Sequence, residues 1–168
     1  MSSGAGGPPS ADRSDVVVRR LRSDEVREFR WIRLRSLATD AMAFGSTYAR
    51  EAAFLAAVWE ERARDGATAA DRGYWVAVAP DEQFVGLVGA IPQPPELVVV
   101  AMWVAPSHRR HGIAGRLLDA LLDWADTVRP GGRVHLSVNP AQLAAVRLYE
   151  SRGFVRTGAT EPLPHAPM

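Results

Sequence analysis

The chain has 168 residues and a net charge of +1, which fits one domain with an ordinary hydrophobic core and gives no reason to expect nucleic acid or an acidic polymer as partner. It contains no cysteine, which excludes disulfides, thiolate metal sites and cysteine nucleophiles. Lysine is also absent, so neither a P-loop nucleotidase nor a Schiff-base enzyme is possible.

Residues 1–14 are rich in Gly, Ser and Pro and have no apolar core, so we interpret them as a disordered tail. They resemble neither a signal peptide nor a membrane span, and the expected location is the cytoplasm. A first strand is predicted from Asp15 to Leu21. Ser23 with acidic residues after it predicts the cap of a helix that runs to about Ala38.

A second helix is predicted from about Glu51 to Arg64, with its apolar side chains buried: Phe54, Leu55, Val58 and Trp59. Two strands, Tyr74 to Ala79 and Gln83 to Ile91, predict an antiparallel hairpin. The proline-rich residues 92–95 should then break the chain.

The apolar run from Glu96 to Val104 predicts a central strand covered on both faces. After a turn, a 3.6-residue apolar period predicts a helix that carries Ile113, Leu117, Leu118, Leu121, Leu122, Ala125 and Val128. A strand from Arg133 to Val138, a helix opened by Asn139 and Pro140, and a last strand from Phe154 to Thr157 complete the predicted elements. The fold class is α/β (α+β), a mixed sheet flanked by helices.

The turn between the central strand and its helix predicts a site for a phosphate-bearing ligand. Its sequence, residues 105–116, is basic and contains glycine. The first N–H groups of a helix are unpaired and carry partial positive charge, which favours an anion. Gly112 and the small residues Ala114 and Gly115 let a ligand approach the backbone.

The segment Arg109–Ala114 is similar to the pyrophosphate loop of the GNAT superfamily of acyl-CoA-dependent N-acetyltransferases. Met102–Pro106 resembles that family's splayed central strand. Leu136–Phe154 resembles its closing motif, including Ala145, Leu148-Tyr149-Glu150 and Gly153-Phe154. Ala43–Tyr48, followed by Glu51, is similar to a segment of one bacterial branch. The resemblance covers residues 15–165 and implies a GNAT-like domain at 15–157 with a mostly antiparallel sheet whose splayed strand binds CoA.

Two positions depart from the family pattern. Gln142 stands where the family usually has asparagine, and Asn139 either takes over its polar contacts or only caps the helix. The family also continues past a Pro-Leu-Pro-His segment into a final strand, whereas residues 158–168 form a Pro-rich segment. We expect that this strand is lost by truncation, is supplied by another chain, or leaves a gap. A homodimer would suit an incomplete sheet edge.

The resemblance implies acetyl-CoA as co-substrate. Its pyrophosphate would lie on backbone groups of the turn and helix start, and its pantetheine along Val104 and neighbours. The implied cofactor residues are Met102, Trp103, Val104, Arg109, Arg110, His111, Gly112, Ile113, Ala114, Gly115, Arg116, Asn139 and Gln142.

The resemblance also implies direct attack of a neutral amine on the thioester, with Tyr149 as general acid for the CoA thiolate. Glu96 is the first candidate base; Glu51, Glu161 and His165 are further candidates. Phe44 and Tyr48 are the expected acceptor contacts, and Trp31 and Trp59 could add to them. No His, Asp and Glu set has metal-ligand spacing, so no metal is expected.

Four functions stay open at this point. An N-acetyltransferase acting on a small-molecule or peptide amine is the first, and a non-catalytic acyl-CoA-binding regulatory module is the alternative. A dinucleotide-binding enzyme is disfavoured because the turn lacks Gly-x-Gly-x-x-Gly and follows a late strand. Nucleic-acid binding through the Arg-rich segments at 19–35 and 147–156 is disfavoured because those arginines alternate with acidic and apolar residues, as on a solvated face, and no membrane partner is expected.

Overall fold

The computed structural model describes residues 15–162. The predicted tail at 1–14, the last six residues and the candidate base His165 therefore lie outside the described part of the chain. The strands are β1 Val17–Arg20, β2 Gly73–Val78, β3 Phe84–Gln93, β4 Glu96–Val104 and β5 Val134–His135. The helices are α1 Val26–Thr39, α2 Tyr48–Ala52, α3 Ala56–Thr68, α4 Ile113–Val128 and α5 Leu143–Ser151.

The strands form one sheet in the order β1-β2-β3-β4-β5. The first four are antiparallel neighbours, and β5 runs parallel to β4. This confirms the mixed, mostly antiparallel sheet flanked by helices, and β4 and the β2–β3 hairpin form where the apolar runs place them. Among the described residues, no helix has the length and apolar character needed to cross a membrane.

Helices cover both faces of the sheet. On one face, the Leu117 side chain of α4 packs so closely on Gly86 that an added Cβ there would lie 2.9 Å from it. On the other face, the Tyr74 ring packs against Phe29 of α1, with ring centroids 4.9 Å apart, and against Gly66 of α3. The sheet thus separates α4 from α1 and α3.

Four predicted helix features are wrong in detail. Ser23 does not cap α1; instead, the Glu25 carboxylate accepts the Arg22 N–H at 2.9 Å. The single helix expected from Glu51 to Arg64 is two helices, because the backbone is extended at Leu55, whose side chain is 76% exposed rather than buried. The last helix begins three residues after Pro140, at Leu143.

Three strand predictions also need correction. β5 is only two residues long, not six, and β3 continues through Pro92 to Gln93. Residues 154–157 do not form a strand, because Phe154 turns back onto α5: its N–H donates to the Tyr149 carbonyl at 3.1 Å, and Val155 is 85% exposed.

Candidate functional site

A cleft opens where β4 and β5 part. β4 pairs with β5 only at Leu97–Val134 and Val98–His135, whereas its other edge pairs with β3 as far as Val104. From residue 99 to 104 the outer edge of β4 has no strand partner among residues 15–162. Apart from the Val104 carbonyl, which accepts a hydrogen bond from Arg109, the backbone groups of that edge are available to an extended ligand, as on any open strand.

A β-bulge marks the middle of this free edge. Gly89 pairs with Val100 and Leu87 pairs with Trp103, so Val88 alone faces both Ala101 and Met102. Ala101 has φ +59°, a left-handed conformation that costs a non-glycine residue about 1 kcal/mol or more. Bulges bend the strand that carries them. The bulge therefore turns β4 at the point where its partner ends.

The open end of the cleft meets a helix N-terminus. After β4 the chain makes one 3₁₀ turn, Pro106–His108, and Gly112 then precedes α4 with φ +75°. The amides of residues 113–115 lie in the first turn of α4, where no intrahelical acceptor exists. Partial positive charge is concentrated there, so an anion at the open end of the cleft is stabilised.

Of the three arginines among the implied cofactor residues, Arg109 and Arg116 brace this turn. Arg109 donates to the Val104 carbonyl through Nε (2.9 Å) and to the Asp40 carboxylate through Nη2 (2.6 Å). Asp40 also accepts the Trp103 indole N–H at 2.7 Å. Arg116 donates to the Val16 carbonyl at 2.7 Å. Arg110 is exposed and has φ +66°, so it is the arginine of this turn best placed to meet solvent-borne anions.

The two histidines of this turn differ in exposure. His111 is exposed, whereas His108 is partly buried and its Nδ1 atom lies 2.8 Å from the Ser107 hydroxyl. Neither position gives a reason to assign it a catalytic role.

Gly115 makes room for the Arg152 side chain at the end of α5 and not for a ligand. A Cβ on Gly115 would lie 2.5 Å from the guanidinium of Arg152, which also binds Asp119 through Nε at 3.0 Å. The C-terminal end of α5 therefore packs against the first turn of α4. Tyr149, three residues before Arg152, is buried on α5 and belongs to the hydrophobic core.

The spacing Tyr-x-x-x-Gly-Phe is explained by the end of α5. The Gly153 N–H donates to the Glu150 carbonyl and the Phe154 N–H to the Tyr149 carbonyl, both at 3.1 Å. With Gly153 at φ +88°, these are the two hydrogen bonds of a Schellman motif, and the Tyr149 and Phe154 rings make its usual apolar contact at 5.9 Å. The motif fixes the orientation of the Tyr149 ring.

Burial raises the pKa of Tyr149 to about 12. The side chain is 8% exposed, and removal from water disfavours the charged phenolate. Tyr149 is therefore a neutral hydrogen-bond donor throughout the physiological range.

Glu96, the first candidate base, lies at the closed end of the cleft. Its carboxylate is 2.9 Å from the His135 Nδ1 atom and 3.9 Å from Arg133. Ala101 follows five residues later, about 16 Å along an extended strand. Sequence reasoning missed His135, because only the pairing of His135 with Val98 brings it beside Glu96.

Glu51 is ill suited to act as a base. Burial alone would raise its pKa, but hydrogen bonds and charge from Arg33, with Arg62 adding to them, outweigh this effect and lower it. Arg33 donates to both carboxylate oxygens, at 3.0 and 2.8 Å, and the Glu51 side chain is 3% exposed. The pair joins α1 to α2. Glu161, another candidate, is exposed in the segment after α5.

The other predicted contacts fall in different environments. Phe44 is buried beneath the Arg33 guanidinium, 4.9 Å from the ring centroid, and Tyr48 is half exposed at the start of α2. The Asn139 side chain accepts the Ala141 N–H at 3.0 Å, and the Gln142 N–H donates to the Asn139 carbonyl at 2.9 Å, so both residues build the turn before α5. Among residues 15–162, no three potential metal ligands cluster.

Comparison with known proteins identifies similar chains. The family described as "Acetyltransferase (GNAT) family" matches residues 26–154. N-acetyltransferase 8 of Homo sapiens is 38% identical over 93 residues, covering 51% of this chain and 39% of the relative. N-acetyltransferase 8B of Rattus norvegicus is 39% identical over 98 residues, covering 54% and 42%. The chain thus spans about two fifths of these relatives' lengths. Both are mammalian, so the resemblance to a bacterial branch stays a prediction.

Two solved structures share the fold. A GNAT-family acetyltransferase from Streptococcus pneumoniae superposes with a TM-score of 0.70 at 21% identity, covering 84% of each chain. The aminoglycoside acetyltransferase AAC(6')-Iy, solved with a bisubstrate analogue of CoA, superposes with a TM-score of 0.63 at 18% identity, covering 90% of this chain and 99% of its own.

Proposed function

Since this chain belongs to the acetyltransferase (GNAT) family, we propose that it transfers an acetyl group from acetyl-CoA to a primary amine. The observation that carries the proposal is the cleft between β4 and β5, with the first turn of α4 at its open end. The unpaired edge of β4 offers backbone groups to the pantetheine amides, and the N-terminus of α4 offers N–H groups to the pyrophosphate. The bisubstrate complex of AAC(6')-Iy supports the same assignment.

The cofactor residues divide into backbone and side-chain contributors. The first-turn amides of α4 hold the pyrophosphate, and Arg110 adds a charge-assisted contact. Met102, Trp103 and Val104 present the strand edge. Arg109 and Arg116 support the turn through Asp40 and Val16, so the phosphates are bound by the first-turn amides and Arg110.

The reaction is direct attack of the neutral amine nitrogen on the thioester carbonyl. The new C–N bond forms as the C–S bond breaks, the sulfur leaves with the electron pair as thiolate, and the amine proton passes to solvent or a base. Full proton transfer from a phenol of pKa about 12 to a thiolate of about 8.5 would be uphill by ~5 kcal/mol. Tyr149 therefore stabilises the leaving thiolate by a hydrogen bond before solvent protonates it.

The reaction also needs a base that accepts the amine proton. Glu96 is the proposed carboxylate, in contact with His135 at 2.9 Å. Because it lies about 16 Å along the strand from the bulge at Ala101, it would take the amine proton through a chain of water molecules and not by direct contact. Phe44 and Tyr48 are proposed to bound the acceptor on the α1 face.

Steady-state release of CoA in the presence of an amine panel tests the proposal. Amine-dependent release with matching N-acetylated product supports transfer. Acetyl-CoA binding with no product from any amine would instead favour the non-catalytic acyl-CoA-binding module.

Replacing Gly112 tests the helix start. At φ +75°, Gly112→Ala should lower the free energy of unfolding by about 1–2 kcal/mol and also weaken acetyl-CoA binding, because the turn relaxes. Gly131→Ala is the matched control: Gly131 has φ +70° and equally open surroundings, but it follows α4. Urea unfolding and calorimetric titration measure both effects. Equal loss of affinity in the two variants would argue against the site.

A further inference from the structure

Arg35 lies between two indole rings. Its Cζ atom is 5.3 Å from the Trp31 ring centroid and 5.5 Å from that of Trp103. Trp31 is one turn earlier on α1, and Trp103 lies on β4 two residues after Ala101 of the bulge. The stack therefore joins α1 to the strand that lines the cleft.

Arg35 differs from its neighbour Arg33 in its charge partners. No carboxylate among residues 15–162 forms an ion pair with Arg35, whereas Arg33 on the same helix is bound by Glu51. Asp40, which contacts the same indole as Arg35, is already bound to Trp103 and Arg109. With its faces covered by indoles, a guanidinium keeps its N–H groups at the edge, in a fixed fork that matches a carboxylate.

The Arg35 guanidinium lies on the face of the sheet from which an acceptor can enter. α4 covers the opposite face of the sheet, packing on β2, β3 and β4, so a second substrate can reach the bulge only from the α1 face. Trp103 points to that face, because its indole binds Asp40 at the end of α1. Arg35 thus borders the approach to the bulge in β4 from the α1 face.

Resting on the proposed function, we propose that Arg35 is a specificity-determining residue that binds a carboxylate of the acceptor, and that the acceptor is an amine bearing such a group, as in a free amino acid. The Trp31 and Trp103 rings hold the guanidinium, so the fork is ordered before the acceptor binds. The same arrangement disfavours polycationic acceptors, because a fixed positive charge lies on their route.

The test compares matched acceptors. Free amino acids and their C-terminal amides are assayed with wild-type protein, Arg35→Gln and Arg35→Lys. Wild type should favour the carboxylates by about tenfold or more in kcat/KM. Arg35→Gln should lose that preference with little change for the amides, and Arg35→Lys should restore only part of it, because an ammonium lacks the fork. Arg30→Gln is the control. Arg30 lies on α1, as Arg35 does, but its guanidinium contacts the indole of Trp59 on α3.

Four results would overturn the assignment. Equal effects of Arg30→Gln and Arg35→Gln would reduce Arg35 to a structural role. A rise in the KM for acetyl-CoA in Arg35→Gln would assign its charge to the cofactor phosphates. Efficient acetylation of amides, polyamines or aminoglycosides but not of free amino acids would refute the acceptor class and leave the proposed transferase intact. No acetyl transfer to any amine would refute both.

Discussion

Tyr149→Phe is expected to lower kcat about a hundredfold while leaving the affinity for acetyl-CoA unchanged. A positioned proton or hydrogen-bond donor to a leaving group contributes on this scale. Phenylalanine keeps the ring that packs against Phe154, so the Schellman motif at the end of α5 persists and only the hydroxyl is lost. Single-turnover kinetics at saturating acetyl-CoA separate this loss from any change in binding.

The matched control is Tyr74→Phe. Tyr74 is another tyrosine in the protein interior, but it packs between α1 and α3 on the face of the sheet away from α4. Tyr74→Phe should retain activity within a few-fold. An equal fall in kcat for both variants would show that the Tyr149 effect is structural.

The pKa of Tyr149 also predicts the pH profile. With a pKa raised to about 12 by burial, Tyr149 stays protonated up to pH 10, so its ionisation gives no loss of activity between pH 6 and 10. A basic limb in that range that vanishes in Tyr149→Phe would contradict this account.

Glu51→Gln is expected to lower the free energy of unfolding by about 3–5 kcal/mol. The substitution leaves Arg33, whose side chain is 11% exposed, without its charged partner, and breaking a buried ion pair has this cost. For a chain of this size the loss corresponds to a fall of about 10 °C in Tm. Glu60→Gln, at an exposed position on α3, should change Tm by no more than about 1–2 °C.

The same pair predicts part of the acid sensitivity. The pKa of Glu51 is lower in the folded state than its ordinary value of 4.5, so below that value the unfolded chain binds more protons. The contribution of Glu51 is thus complete above about pH 4.5 and lost as the pH falls through the folded pKa. Glu51→Gln should have a flatter dependence of stability on pH between 5 and 3. Parallel curves for the two proteins would contradict this.

The strands and helices with strong periodicity could be predicted from the sequence. The apolar run at 96–104 and the 3.6-residue stripe of α4 predict a strand and a helix from local residue types alone. Burial on both faces of a strand, or along one stripe of a helix, requires apolar residues at those positions. The Gly-containing turn between them was equally visible. The order of these parts was enough to indicate the family.

Features that depend on distant contacts could not be predicted. The bulge at Ala101 is visible only in the register with β3, and alanine gives no sign of a positive φ. One partner of Arg109, the Asp40 carboxylate, lies 69 residues away in the chain. The bulge and the Arg109–Asp40 pair thus depend on tertiary contacts. The turn of Phe154 back to Tyr149 is local: the helix-end motif at Gly153 outweighed the apolar strand pattern of the residues after it.

Thermal unfolding with and without acetyl-CoA, with NADH as control, tests the central claim that the cleft between β4 and β5 binds this cofactor. A ligand that binds only the folded state stabilises it by about 2.7 kcal/mol at a hundred times Kd. We predict a rise in Tm that grows with acetyl-CoA concentration, is reduced in Gly112→Ala relative to Gly131→Ala, and is absent with NADH. A cooperative transition that acetyl-CoA does not move at any concentration would contradict the account.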